Sequence, residues 1–267
     1  MSSESSHRFQ PKPHRPLSNG VWAIGHRGFP TAAPENTLAS FRRAIDAGAD
    51  MIEFDVALSK DGCPVVIHDP TVRRTTNGHG SVKRLTLEDL RKLDAGSWFS
   101  REFAGEKVPT LEEVMDLAAE RVCLNIEIKK EAVSRTGTDG IEAKIVSLLR
   151  QRGLVEHTVI SSFSPKAVRR VKALDPTQSA ALLLGRAPVR VPLKQVHAVD
   201  ADAVHLSYRR LKKKWIEQLV QAGIPVRAYT VNEVSDMRRM IEWGVDGLFT
   251  DRIDRLRAVI DELEPVS

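Results

Sequence analysis

Two cysteines, Cys63 and Cys123, among 267 residues leave no disulfide framework to build on. Cys63 falls in a turn-like stretch and Cys123 among strand apolars, so neither reads as a nucleophile or a metal ligand. No apolar run approaches the length needed to span a bilayer. Residues 1–20 are rich in Ser, Pro, His and Arg and lack the apolar stretch of a secretory signal, so they read as a disordered tail. No Gly-rich dinucleotide turn follows the first strand-like segment, which removes the main support for an open doubly wound sheet. A large excess of one charge is also missing. The formal net charge is +5, and the basic residues gather in short clusters: Arg209-Arg210, Lys212-Lys213-Lys214 and Arg238-Arg239. These read as solvated helix faces rather than nucleic-acid contacts. The expectation is a cytoplasmic chain with no nucleic-acid partner, no transmembrane segment and an open oligomeric state.

With 42% apolar residues the chain can bury one large core. From residue 21 onward, strand-like runs alternate with amphipathic helical stretches. Expected strands begin near Val21, Met51, Val122, Thr158, Ala180, Ala203, Pro225 and Gly247. Expected helices begin near Thr37, Leu111, Ile141, Pro165, Val191, Leu211, Ser235 and Arg252. Eight strand–helix units predict a closed (β/α)8 TIM barrel within α/β, one domain over residues 21–267. Gly48, Gly153, Gly223 and Gly244 each fall just past a helical stretch, where a left-handed residue is wanted. One segment breaks the rhythm. The turn Lys60-Asp61-Gly62 followed by Val65-Val66-Ile67 predicts a hairpin that folds His68 back towards the end of the second strand. The stretch of about residues 69–109 then reads as an inserted cap over the C-terminal face.

That quarter of the chain also carries chemistry. In Met51-Ile52-Glu53-Phe54-Asp55 the two carboxylates share one strand face, and Asn125, Glu127 and Lys129 share one face of the next barrel strand. Carboxylates crowded in a partly buried mouth repel one another, and a divalent cation with oxygen ligands, Mg2+ or Ca2+, relieves that repulsion. The alternative is a structural ion-pair network among Glu53, Asp55, Glu127 and Lys129. His26 ends the first strand and His68 returns from the hairpin. A lone histidine is usually structural, but two converging on carboxylates suit acid–base work on a phosphate ester. Arg27 and Lys129 are candidate phosphate contacts, with Arg27 equally able to pair with Glu35. Asn36 reads as a helix cap, and Asp69 as an orienter of its neighbours or a loop cap. Phe163 and Tyr229, at strand ends, are candidate pocket walls or plain core. His7, His14, His79, His157, His197 and His205 have no such company.

The run His26-Arg27-Gly28, Pro34-Glu35-Asn36-Thr37, Glu53-Phe54-Asp55-Val56, Lys60-Asp61-Gly62, His68-Asp69 and Arg74-Thr75-Thr76 resembles the glycerophosphodiester phosphodiesterases. The likeness continues through Glu127-Ile128-Lys129, Ser161-Ser162-Phe163, Tyr229-Thr230-Val231-Asn232 and Thr250-Asp251-Arg252. Tyr229 stands where the family often has Trp, and Ile253 where a proline is common. The resemblance implies a TIM-type barrel with a small insertion after the second strand. It implies one divalent cation on Glu53, Asp55 and Glu127, an acid–base pair in His26 and His68, and phosphate contacts from Arg27 and Lys129. The implied substrate is a small glycerophosphodiester, such as glycerophosphocholine or glycerophosphoethanolamine, cleaved to glycerol 3-phosphate and an alcohol. Attack comes from the glycerol 2-hydroxyl, by way of a cyclic phosphate, or directly from water. A lysophospholipase D would need an apolar groove in the cap; Leu85, Leu87, Leu90, Leu93, Trp98 and Phe99 either supply one or form the cap's own core. A non-catalytic barrel would be expected to have lost a ligand or a histidine, and all five are present.

Overall fold

The computed structural model describes residues 20–119, 121–133, 140–185 and 192–263. Of the expected tail, all but Gly20 lies outside the described residues. In chain order the strands are β1 (Trp22–His26), β2 (Met51–Leu58), β3 (Pro64–Val66), β4 (Cys123–Ile128), β5 (Thr158–Ser162), β6 (Ser179–Leu184), β7 (Ala203–Ser207), β8 (Val226–Tyr229) and β9 (Gly247–Thr250). The helices are α1 (Leu38–Asp46), α2 (Leu87–Lys92), α3 (Leu111–Ala118), α4 (Ile141–Arg152), α5 (Pro165–Leu174), α6 (Pro192–His197), α7 (Lys213–Gln221), α8 (Val234–Glu242) and α9 (Ile253–Leu263). β1 pairs in parallel with both β9 and β2, which closes eight strands into a barrel. β3 runs antiparallel on β2, as the turn sequence predicted. No helix among the described residues is long and apolar enough to cross a membrane.

Strand alternation divides the core in two. Ile52, Phe54 and Val56 of β2 and Leu124, Ile126 and Ile128 of β4 face outward into the layer shared with the helices. Trp22, Ile24, Met51, Cys123, Val159, Ala181, Ala203 and Phe249 fill the barrel itself. The inward positions one step further up β2 and β4 are Glu53, Asp55, Asn125 and Glu127, all buried. The polar cluster therefore stands on an apolar plug at the C-terminal end of the strands, where barrels of this class place their sites.

Helix starts follow local chemistry. Thr37 caps α1 by accepting from the Ser40 amide, and Thr110 with Glu113 forms a capping box on α3. Ser164 caps α5 ahead of a first-turn proline. All four glycines expected past helix ends take positive φ. Ile253 opens α9, so the proline common there in the family would sit at a first helical position that favours it. Two details differ from expectation. Tyr208–Arg210 forms a separate 3-10 turn and α7 starts later, at Lys213. Asn36 is not the cap of α1. Its backbone takes a φ of 57°, and its buried amide is drawn instead to the buried Asp55 carboxylate.

The cap consumes its own leucines. Val65, Ile67, Val72, Val82, Leu90, Ala95 and Val108 form a closed cluster, with Leu85, Leu87 and Leu93 packed on it. Trp98 lies across Phe99 edge to face and donates to the Ala95 carbonyl. The leucines belong to the cap's core and line no groove there, whereas Trp98 is 42% exposed on the cap surface.

Gly28 sets the turn that follows β1. Its φ is +89°, and a Cβ there would lie 2.8 Å from the Ser40 carbonyl carbon. Ser40 Oγ also receives the Phe29 amide at 2.8 Å and donates to the Arg27 carbonyl at 3.1 Å. Gly28→Ala is expected to cost about 1–3 kcal/mol in urea unfolding, by strained backbone and steric crowding. A loss of only a few tenths would contradict this account of the turn.

Candidate active site

Register brings the carboxylates together. His26 lies beside Glu53 across β1 and β2, while Glu53 lies beside Asn125 and Asp55 beside Glu127 across β2 and β4. Glu53, Asp55 and Glu127 are 3%, 1% and 8% exposed, and one oxygen of each lies within 4.8 Å of the others. Little of their surface reaches solvent, so much of the charge must be balanced by neighbouring groups. Lys129 Nζ donates to Glu127 at 2.8 Å and to Asp55 at 3.1 Å. The Arg27 amide donates to Glu53 at 2.9 Å, and its guanidinium lies 3.5 Å from Asp55. Asn36 adds an amide donor to Asp55 at 3.0 Å.

This compensation is incomplete. Burial, with Asp55 and Glu127 close by, pushes Glu53 up to about 8. Burial and Asp55 also raise Glu127 against the pull of Lys129. Asp55 goes the other way: burial opposes its charge, but Lys129, Arg27 and His68 hold it below the usual carboxylate range. Burial opposes the charge on Lys129 as well, yet Asp55 and Glu127 keep it firmly protonated. Three converging carboxylates, two of them destabilised as anions and all offering oxygen, suit a hard divalent cation.

Both histidines are oriented by carboxylates. His26 Nδ1 lies 2.7 Å from Asp251, and His68 Nδ1 lies 2.6 Å from Asp69. Such a partner on Nδ1 leaves Nε2 available for proton exchange. Burial works against protonation of His26, but the Asp251 bond and the Glu53 charge raise its pKa overall. Burial, with Arg27 and Lys129 near, lowers His68 despite Asp55 and Asp69. The two rings thus differ in proton affinity within one mouth.

A cavity of about 240 Å³ collects the predicted groups. His26, Arg27, Glu53, His68, Glu127, Lys129, Phe163 and Tyr229 all line it, with Asn125, Leu183, Thr230 and Phe249. Asp55 lies behind this wall and reaches it through Lys129 and Arg27. Phe163 and Tyr229 meet edge to face at 6.1 Å, and the Tyr229 hydroxyl donates to the Leu184 carbonyl. His79 and His197 are exposed and His157 half-buried, and none of them lines the cavity. His205 is buried in the barrel against Phe249, and His7 and His14 lie outside the described residues.

Several supporting residues escaped the sequence reading. Asp251 appeared only within a family motif, yet it holds His26 and is itself fixed by Asn232, which donates to its carboxylate at 2.7 Å and accepts from its amide at 2.8 Å. The available signal was barrel closure: Gly25 pairs with Thr250 across β1 and β9, so the next residues, His26 and Asp251, become neighbours. Arg74 of the cap was also missed. It forks onto Glu35 at 2.7 and 2.8 Å and onto Asp69 at 2.7 and 3.1 Å. Glu35 in turn accepts from Arg27 at 2.8 Å. One cap guanidinium therefore braces the carboxylate behind His68 and the one behind Arg27.

The profile of the glycerophosphoryl diester phosphodiesterase family matches residues 26–255, spanning this entire constellation. The chain belongs to that family. A glycerophosphodiester phosphodiesterase of Caldanaerobacter subterraneus is 43% identical over 229 residues, covering 85% of this chain and 93% of that one. The solved glycerophosphodiester phosphodiesterase of Agrobacterium tumefaciens superposes with a TM-score of 0.78 at 30% identity, over 89% of this chain and 99% of that one. An Oleispira antarctica phosphodiesterase, solved with the product sn-glycerol-3-phosphate, superposes with a TM-score of 0.81 at 31% identity, over 90% and 96% of the two chains. The enzyme is thus a phosphodiesterase on the family's barrel.

Because Glu53 is held up to about 8, an incoming cation must displace a proton at neutral pH. Apparent affinity for Mg2+ or Ca2+ should rise by up to roughly tenfold per pH unit below that value and level off above it. Calorimetry in buffers of different ionisation enthalpy reads the released proton. Glu53→Gln should weaken binding and flatten the slope. A pH-independent affinity in the unmodified protein would contradict the assignment.

Proposed function

We propose that this phosphodiesterase is metal-dependent and hydrolyses glycerophosphodiesters, such as glycerophosphocholine or glycerophosphoethanolamine, to glycerol 3-phosphate and the free alcohol. The observation that carries this reading is the meeting of both histidines, both cations, Glu53 and Glu127 at one small cavity, with Asp55 directly behind its wall. Glu53, Asp55 and Glu127 would hold one Mg2+ or Ca2+, which when bound supplies positive charge to polarise a phosphoryl oxygen and offset charge developing on it. The rest of the chemistry belongs to this chain's side chains.

Arg27, with its planar fork, and Lys129 would grip the phosphoryl oxygens. Their present carboxylate partners set their positions before substrate arrives. His26 and His68, each steadied at Nδ1, would divide two proton transfers, one from the attacking hydroxyl and one to the departing alcohol. Glu35 and Arg74 keep Arg27 and the Asp69–His68 pair in fixed relation, so that orientation is settled by packing rather than by substrate. Phe163 and Tyr229 would form the wall on the alcohol side.

The working unit in this reading is one barrel domain, residues 21–267, acting in the cytoplasm. Two cysteines outside any disulfide suit a reducing compartment, Cys123 being sealed in the barrel interior. The cap's closed apolar core favours a small deacylated substrate over a lysophospholipid bound there.

His26→Ala and His68→Ala should each cut turnover of glycerophosphocholine by about 10²–10⁴-fold while leaving the folded structure intact by circular dichroism. Near-normal turnover in a folded variant would remove that histidine from the chemistry.

A further inference from the structure

A second, larger hollow opens from the reaction cavity. It has a volume of about 830 Å³ and shares His68, Glu127, Lys129, Phe163 and Tyr229 with the catalytic mouth. From there it runs outward over the ends of β6 and β7, past Leu182, Leu183 and Leu184, to Gln195, Ser207 and Arg210. That space far exceeds what choline or ethanolamine would fill and lies in the range of sites for much larger ligands.

Its charge is lopsided. On the near rim, Lys130 is balanced by Glu131 at 3.8 Å. On the far rim, Arg210 is followed by a ridge of cations, with Arg209, Lys212, Lys213 and Lys214 all exposed. Among the described residues no carboxylate forms an ion pair with Lys212, Lys213 or Lys214. The ridge stands at the start of α7, which has no acidic residue in its first turn and no side-chain cap. Lys212 lies 5.2 Å over the Trp215 ring, and the helix dipole makes cations at that end otherwise unfavourable. Arg210, which lines the groove, precedes them by two residues, so their positive charge adds to its own.

We propose that this groove seats the alcohol half of the phosphodiester, and that Arg210 with the Lys212–Lys214 ridge selects alcohols carrying a second phosphate group. The proposal rests on the phosphodiesterase reading above and extends it to a substrate class. A cationic alcohol would meet Phe163 and Tyr229 at the inner end but find repulsion further out. An alcohol bearing its own phosphate would lie along the leucine wall and place that group against Arg210, whose fork suits phosphate oxygens.

The test compares kcat/KM for glycerophosphocholine, glycerophosphoglycerol and bis(glycerophospho)glycerol, which share the reacting half and differ in the charge of the alcohol. The expected order is the doubly phosphorylated compound first, by about tenfold over glycerophosphoglycerol, a ratio equivalent to one good charged contact. That ratio should shrink as salt is added. In Arg210→Gln, and in the triple variant Lys212→Gln, Lys213→Gln, Lys214→Gln, it should fall to within about twofold of unity, mainly through KM. A wild-type preference for the choline ester would overturn the proposal, as would an unchanged ratio in both variants. Loss of sedimentation with phosphatidylglycerol vesicles in the triple variant, with the ratio intact, would assign the ridge to a membrane surface instead. No hydrolysis of any of the three compounds by the wild type would strike the underlying phosphodiesterase reading, a separate outcome.

Discussion

The mutual repulsion of three buried carboxylates is the constraint around which the mouth of this barrel is organised. Glu53, Asp55 and Glu127 come from two adjacent parallel strands whose register admits no other arrangement. A shift of one residue would turn them into the helix layer and bring Phe54 and Ile126 inside. The apolar plug below offers them no polar partner, and the strands deny them distance. Lys129 and Arg27 offset part of the charge, and the part left over would favour a bound cation. Stability and function are opposed at this point, as is common where a fold stores unfavourable electrostatics for chemistry.

Around that centre, long-range ties fix the moving parts. His26 is held by a residue 225 positions away, which only a closed barrel can deliver. His68 arrives on a hairpin and is braced from the cap through Asp69 and Arg74. Glu35 connects the same arginine back to Arg27, so the proposed phosphate contact and one of the proposed proton-transfer residues share a common brace. The insertion after β2 therefore works as a buttress, and its leucines are spent on holding that buttress together. The open side of the mouth lies across from it, over β5 to β8, where the walls are apolar and the rim is basic.

How much of this was legible in the residues depends on the range of the interaction. Period-two alternation in Met51–Asp55 and in Asn125–Lys129 put the carboxylates on one face without any coordinates. The turn at Lys60-Asp61-Gly62 returned His68 to the second strand. Helix ends marked by glycine fell where they should. Asn36 was misjudged because cap preference is a local argument, while a buried carboxylate nineteen residues away exerts the stronger pull. Asp251 and Arg74 stayed hidden for the same reason: their roles come from strand closure and from cap docking, neither of which has a local pattern. The leucines of the cap were ambiguous because apolar spacing does not say whether a face meets lipid or its own neighbours. The cations after Tyr208 were read as a solvated face, and only their position beside a groove gives them another meaning.

The most direct test of the account is to strip the protein with a chelator and follow hydrolysis of a glycerophosphodiester while Mg2+ or Ca2+ is returned separately. The account predicts loss of turnover to background and recovery complete at one bound ion per chain. Undiminished turnover in the metal-free protein would contradict it, and the carboxylate cluster would then be no more than an ion-pair network.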